Sequence, residues 1–164
     1  MFILEIVAIG AMTAYAVYRQ TVVSEVATAN RFKLAIVYGV VGLVVGGFAL
    51  PHGAIGYGML AAGLVLSAVV GVIRGYRTDI WMEPDGRIVS KGNAVTIALF
   101  LGLVAVKFAM GALSFAAGVS DGAGFGEIVV MIAIMVAFQA EIVYRRRRRL
   151  ALAVQRVPAP ARTS

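Results

Sequence analysis

The sequence predicts an all-α protein that crosses a membrane several times, and three observations support this fold class. Hydrophobic residues make up 61% of the 164-residue chain and charged residues 14%, whereas soluble domains typically have about 45–50% and about 25%. The mean hydropathy is +0.92. Long apolar stretches recur along the chain, and lysine and arginine are concentrated in alternate connections between them. Because only helices satisfy their own backbone hydrogen bonds in lipid over such stretches, we expect a polytopic helical membrane protein.

Five apolar stretches are predicted to be transmembrane helices. Most approach the roughly 20 residues that a helix needs to cross a bilayer. The first is the shortest, and residues 21–30 are predicted to continue it as a helix at the membrane surface. Residues 1–149 would then form one transmembrane domain, followed by a disordered Pro- and Ala-rich tail over residues 150–164. The predicted spans are residues 2–18, 34–50, 53–73, 94–118 and 126–144.

The placement of basic residues predicts the orientation. Fourteen of the 15 lysines and arginines lie after the first span, after the third span or in the C-terminal tail. Cytoplasmic connections are rich in these residues, so the N-terminus is expected outside and the C-terminus in the cytoplasm, in a bacterial inner membrane. The net charge of +7 then indicates contact with anionic lipids rather than nucleic acid. The residues expected to contact lipid head groups are Arg145, Arg146, Arg147, Arg148 and Arg149.

Glycines at a spacing of four residues predict close helix packing. Gly42 and Gly46 share one face of the second span, and Gly71 and Gly75 share one face at the end of the third. Small residues on one face let two helix backbones approach closely in lipid. These faces could pack within one chain or form a homodimer interface.

Lys107 is the one basic residue within a predicted span. A charge inside the bilayer is costly and usually has a partner in the bundle interior. Lys107 lies roughly 20 Å from the cytoplasmic end of its span and Glu5 roughly 21 Å, at a rise of 1.5 Å per residue. A Glu5–Lys107 pair is therefore the first expectation, and Glu141 is the second choice. Such a pair could fix the helix register, relay protons or ions, or serve as counter-ion for a charged ligand.

The connection after the third span, residues 74–93, predicts a short cytoplasmic β-hairpin. Glu83-Pro84-Asp85-Gly86 has the composition of a turn, and the segments on both sides of it have strand-like composition. The acidic residues do not have the spacing of a calcium-binding loop, and nearby cations would neutralise them, so a solvated turn is expected. The residues singled out in this hairpin are Arg77, Asp79, Trp81, Glu83, Asp85 and Arg87.

Part of the chain resembles a known group of membrane proteins. The residues that match are Gly71-Val72-Ile73-Arg74-Gly75, Trp81, Asp85-Gly86-Arg87 and Lys91-Gly92, followed by an apolar helix with a basic residue inside. This pattern, over roughly residues 70–110, resembles the CcdC-like group of small bacterial membrane proteins. The resemblance implies five spans and no catalytic residues.

The motifs of the chain favour a protein that is not an enzyme. There is no cysteine, which excludes disulfides and thiol chemistry, and no P-loop, nucleophile elbow or dinucleotide fingerprint is present. We expect no metal and no cofactor. The predicted function is a scaffold of the bacterial inner membrane, homodimeric or accessory to another membrane protein. The alternative is a small transporter or ligand-binding protein that uses Glu5 and Lys107 as a charged site.

Overall fold

The computed structural model describes residues 10–11, 14–15, 17–18, 21–26, 32–44, 53–116 and 125–155. Besides helical residues among positions 10–21, four helices and three strands are described. The helices are α1 (Lys33–Val44), α2 (Gly53–Arg77), α3 (Ala94–Ala116) and α4 (Phe125–Gln155). The strands are β1 (Ser24–Glu25), β2 (Asp79–Met82) and β3 (Ile88–Lys91).

Three of the described helices are long and apolar enough to cross a membrane. They are Gly56–Arg77 within α2, Ala94–Leu113 within α3 and Gly126–Val154 within α4. The described part of α1 is apolar but has 12 residues. Within the first predicted span, residues 10–11, 14–15 and 17–18 are helical, and the rest of that span lies outside the described residues. The chain is therefore helical with at least three potential spans, and the number five stays a prediction.

Helix α4 is the centre of the bundle. It packs against both α1 and α2, and α3 packs against α2. All four helices contribute side chains to one buried apolar cluster. The opposite surfaces of α1, α2 and α3 expose large apolar side chains, such as Ile36, Val65 and Phe108. An apolar outer surface around an apolar core is what a bundle surrounded by lipid requires. The core cluster contains Tyr38, Val70, Phe100, Leu103, Val129 and Met135, among others.

Two glycines let α2 approach α4 closely. A Cβ atom added at Gly75 would lie 2.6 Å from Ile142 Cβ. One added at Gly71 would lie 3.0 Å from Phe138 Cβ and closer still to the carbonyl oxygen of Met135. The predicted glycine face of the third span thus serves packing within the chain.

Gly42 has the same role on α1. A Cβ atom at this position would lie 3.1 Å from Val129 Cβ of α4. Gly46, its predicted companion, lies outside the described residues. Both predicted glycine faces are therefore occupied by α4 wherever they are described, and a homodimer would need a different surface.

The predicted hairpin is present and belongs to a larger sheet. β2 and β3 pair antiparallel, with Asp79 opposite Lys91 and Met82 opposite Ile88. Gly86 closes the turn with a φ of 82°, a left-handed conformation that glycine adopts without steric cost. The strand order is β1-β3-β2, so β3 is the central strand.

The prediction that residues 21–30 continue as a helix is wrong for Ser24 and Glu25. These two residues form β1 and pair with Ser90 and Val89 of β3. The Val26 backbone N–H donates to the Ile88 carbonyl at 3.1 Å, and the Val26 side chain is buried with Ile88 and Val143. One edge of β3 has backbone groups that β2 does not pair, and Ser24 and Glu25 bond to them instead of forming a surface helix. Burial of the Val26 side chain stabilises this pairing.

Helix α4 continues beyond the predicted end of its span. Residues 150–155, predicted as the start of a disordered tail, are helical. Leu150 and Ala151 pack against the buried cluster of Val26, Ile88 and Val143. Packing against the apolar side chains of the sheet therefore stabilises this part of α4 as a helix. Residues 156–164 lie outside the described residues.

Candidate functional site

Lys107 forms a buried ion pair with Glu127. The Lys107 Nζ donates to the Glu127 Oε1, and the side chains are 5% and 17% exposed. Gly63 of α2 lies beside the pair, because a Cβ atom added there would be 4.0 Å from the Lys107 Nζ. Three helices thus enclose the pair. Mutual neutralisation offsets much of the desolvation cost that either charge alone would suffer.

Glu127 is the described partner of Lys107 and is neither of the two that the sequence suggested, while the Glu5–Lys107 pair stays a prediction. Glu5 lies outside the described residues. Glu141 accepts a hydrogen bond from the Arg145 Nε at 2.8 Å, one helical turn further along α4. Glu127 was missed because it lies at the start of its span, beside a loop. The sequence did contain one signal for Glu127, because a carboxylate in the first turn of a helix is favoured by the helix dipole.

Arg74 is a second buried cation, and sequence reasoning placed it in the cytoplasmic connection. Its side chain is 1% exposed. The guanidinium lies 5.4 Å from the centroid of the Phe100 ring, and its Nη1 donates to the Met135 Sδ at 3.1 Å. Its Nε has no hydrogen-bond partner in the described part of the chain. Among the described residues, no carboxylate lies within ion-pair distance of it. The charge is held by polarisable groups of α3 and α4.

Arg146 caps the end of α2. Its Nη1 donates to the carbonyl oxygens of Gly75, Tyr76 and Thr78 at 2.8, 2.9 and 2.7 Å. The last carbonyls of a helix have no partners within it, and a cation near a helix C-terminus is favoured by the helix dipole. One side chain of α4 therefore fixes the point where α2 ends and the sheet begins. This Arg146 contact joins the bundle to the sheet.

Asn93 supports the same junction from the start of α3. Its Oδ1 accepts from the Thr96 backbone N–H at 3.1 Å, which is an N-cap. Its Nδ2 donates to the Arg77 carbonyl at 2.8 Å. One amide thus begins α3 and satisfies a terminal carbonyl of α2, so both ends of the hairpin are held together.

The five consecutive arginines do not share one environment. Arg146 and Arg147 are half-buried, whereas Arg148 and Arg149 are exposed, and Arg145 is paired with Glu141. The head-group contact of all five arginines stays a prediction, and at Arg146 the Nη1 is already engaged by the end of α2. The period of an α-helix explains the division, because consecutive residues point in directions about 100° apart.

The charges of the hairpin turn neutralise one another. The Arg87 Nε lies 2.6 Å from the Asp85 Oδ2, and its Nη2 lies 3.4 Å from the Glu83 Oε2. A hydrogen bond from the Arg87 backbone N–H, followed by one from its side chain, lowers the pKa of Asp85 from the usual 3.8. In the described part of the chain, no group of three or more acidic or histidine side chains could hold a metal ion.

Comparison of the chain with protein-family models, curated proteins and solved structures finds no match. The resemblance to the CcdC-like group therefore stays a prediction.

Proposed function

We propose that this protein is a non-enzymatic scaffold of the bacterial inner membrane, with five spans, an external N-terminus and a cytoplasmic C-terminus. In this proposal the helical bundle holds the three-stranded sheet at the cytoplasmic surface, where it contacts a partner membrane protein or a second copy of the chain. The observation that supports it best is the junction, where Arg146 donates to the carbonyl oxygens of Gly75, Tyr76 and Thr78 at and just beyond the end of α2.

A scaffold needs its contact surface in a fixed position. The sheet is attached to the bundle by the Arg146 contacts, by Asn93 and by burial of Ile88 against Val143 of α4. Arg146 and Val143 belong to α4 and Asn93 caps the start of α3, so the attachments involve two helices and the sheet cannot pivot about any one of them without breaking another. A small sheet without such support would be marginally stable in water.

The outward face of β2 is the contact surface that this proposal favours. Ile80 and Met82 pack toward α4, and the alternation of a strand turns Asp79 and Trp81 the other way. Trp81 is 37% exposed. Tryptophan is enriched at protein interfaces because its large ring buries much apolar area on binding. The exposed ring of Trp81 is therefore the favoured contact.

The test is site-specific photocrosslinking in intact cells. A photoreactive side chain at position 81 is expected to give one defined adduct, whereas the same group at the lipid-exposed position Val65 is not. An adduct of twice the chain mass indicates a homodimer, and another mass indicates a partner. Equal or absent crosslinking from both positions would contradict the proposal.

A small transporter is the second candidate, and the Lys107–Glu127 pair is the observation in its favour. In this alternative the pair opens to a charged ligand or to protons, with Glu5 as the further acidic residue expected at similar depth. Lys107→Met should then abolish uptake or ligand-dependent stabilisation in vesicles. The scaffold proposal instead expects no ligand-dependent effect, because Lys107 is only 5% exposed and already paired.

A further inference from the structure

Three arginines form one face on the cytoplasmic part of α4, which we call the outer arginine face. It consists of Arg145, Arg148 and Arg149. Their spacing of three and four residues places them side by side on the helix. The Arg145 side chain is 67% exposed, and Arg148 and Arg149 are exposed.

The outer arginine face points away from the protein core. Val143 and Leu150, on the opposite side of α4, belong to the buried cluster beneath the sheet. Arg146 points toward the end of α2. No hydrogen bond or ion pair connects Arg148 or Arg149 to another described residue. These two guanidinium groups therefore have their donors directed outward.

The depth of this face matches the phosphate level of a membrane. The apolar segment of α4 begins at Gly126, and about 20 helical residues cross the hydrocarbon, which brings the helix to Arg145. Independently, Arg146 touches the last carbonyls of α2, the helix whose apolar segment ends at Arg77. Two helices thus reach the membrane boundary at the same level as the arginine face.

We propose that the outer arginine face binds the phosphate head group of an anionic phospholipid of the cytoplasmic leaflet. This inference rests on the proposed membrane topology. Guanidinium groups bind phosphate oxygens through paired, charge-assisted hydrogen bonds. Arg148, Arg149 and the Nη groups of Arg145, whose Nε is paired with Glu141, lie within about one helical turn and can hold one head group from several directions. Arg146, in the same block, takes no part because it caps α2.

The experiment is native mass spectrometry of the purified full chain with equal amounts of phosphatidylglycerol and phosphatidylcholine. The wild type should retain phosphatidylglycerol preferentially. In Arg148→Gln/Arg149→Gln the ratio of bound phosphatidylglycerol to bound phosphatidylcholine should fall about fivefold for each arginine removed. The melting temperature of this variant in lipid-free detergent should be unchanged. Arg146→Gln is the matched control: its melting temperature should fall while its lipid preference remains.

Two results would overturn the inference. One is an unchanged preference for phosphatidylglycerol in the Arg148→Gln/Arg149→Gln variant. The other is an equal loss of preference per arginine removed in Arg146→Gln, which would mean that total charge rather than this face attracts the lipid. Crosslinking from position 81 does not depend on either arginine, so failure of the lipid site and failure of the scaffold proposal are separate outcomes.

Discussion

At the level of single residues, the two buried cations among the described residues of the bundle are stabilised in different ways. Lys107 has a carboxylate partner in Glu127, whereas Arg74 rests against an aromatic ring and a thioether. That Lys107 needs a partner could be predicted from its place in an apolar span. The identity of the partner could not, because it depends on helix rotation and on how far the flexible lysine extends along the bundle.

Breaking the Lys107–Glu127 pair should destabilise the protein more than removing it. Lys107→Met and Glu127→Gln each leave one buried charge alone and should cost about 3–5 kcal/mol. The double variant should recover much of this loss. Thermal unfolding in detergent of the wild type, both single variants and the double variant measures the coupling. Strictly additive effects would show that the two charges do not interact.

Arg74→Met should leave stability unchanged or raise it. The substitution removes a buried charge that has no described carboxylate partner, and apolar replacements of buried ionic groups are often neutral or stabilising by about 1–4 kcal/mol. Arg74→Ala is the comparison, since it also removes the packing against Phe100. A melting temperature for Arg74→Met as low as that for Arg74→Ala would show that the charge itself stabilises the fold.

Asp85 should titrate below its usual range. Because hydrogen bonds from Arg87 lower its pKa from 3.8, the carboxylate contributes stability above that pH and loses it as the pH falls through the lowered pKa. Arg87→Gln should move the pKa back toward 3.8. The Asp85 side-chain chemical shift, followed by NMR across acidic pH, measures this. If the pKa of Asp85 stayed equally low in Arg87→Gln, the backbone N–H of residue 87 alone would cause the shift, and a contribution from the Arg87 side chain would be contradicted.

At the level of helices and strands, close packing and pairing explain both what the sequence predicted and what it missed. The hairpin of β2 and β3 was predictable because a Pro-Asp-Gly turn is a local signal. β1 was not predictable, since its two residues become a strand only through pairing with β3. The glycine spacing predicted close approach, but only the structure identifies α4 as the helix that is approached.

Gly75→Ala should destabilise the bundle, whereas Gly102→Ala should not. A Cβ atom at Gly75 would lie 2.6 Å from Ile142 Cβ, and one at Gly102 meets nothing within 4 Å. Overpacking costs about 1–3 kcal/mol, while alanine favours an open helical position by up to about 1 kcal/mol. Melting temperatures of the two variants should therefore move in opposite directions. A similar change in both would show that the α2–α4 contact is not close.

At the level of the whole molecule, α4 connects the two parts of the protein. Its first residues hold the ion pair with Lys107, its middle forms the core, and its last turns lie against the sheet. The sequence predicted a helical membrane protein from composition, and the structure contributes three apolar helices long enough to span. The extension of α4 was missed because five arginines suggest an ending, although two of them are half-buried.

The fixed position of the sheet on the bundle is tested most directly by amide hydrogen exchange over residues 79–91. In the wild type these amides should be protected together with the end of α2. Arg146→Gln removes charged hydrogen bonds worth about 1.5–3 kcal/mol and should speed exchange there about tenfold or more, while Arg148→Gln should leave it unchanged. Fast exchange in the wild type, or equal exchange in both variants, would contradict a sheet held in place by Arg146.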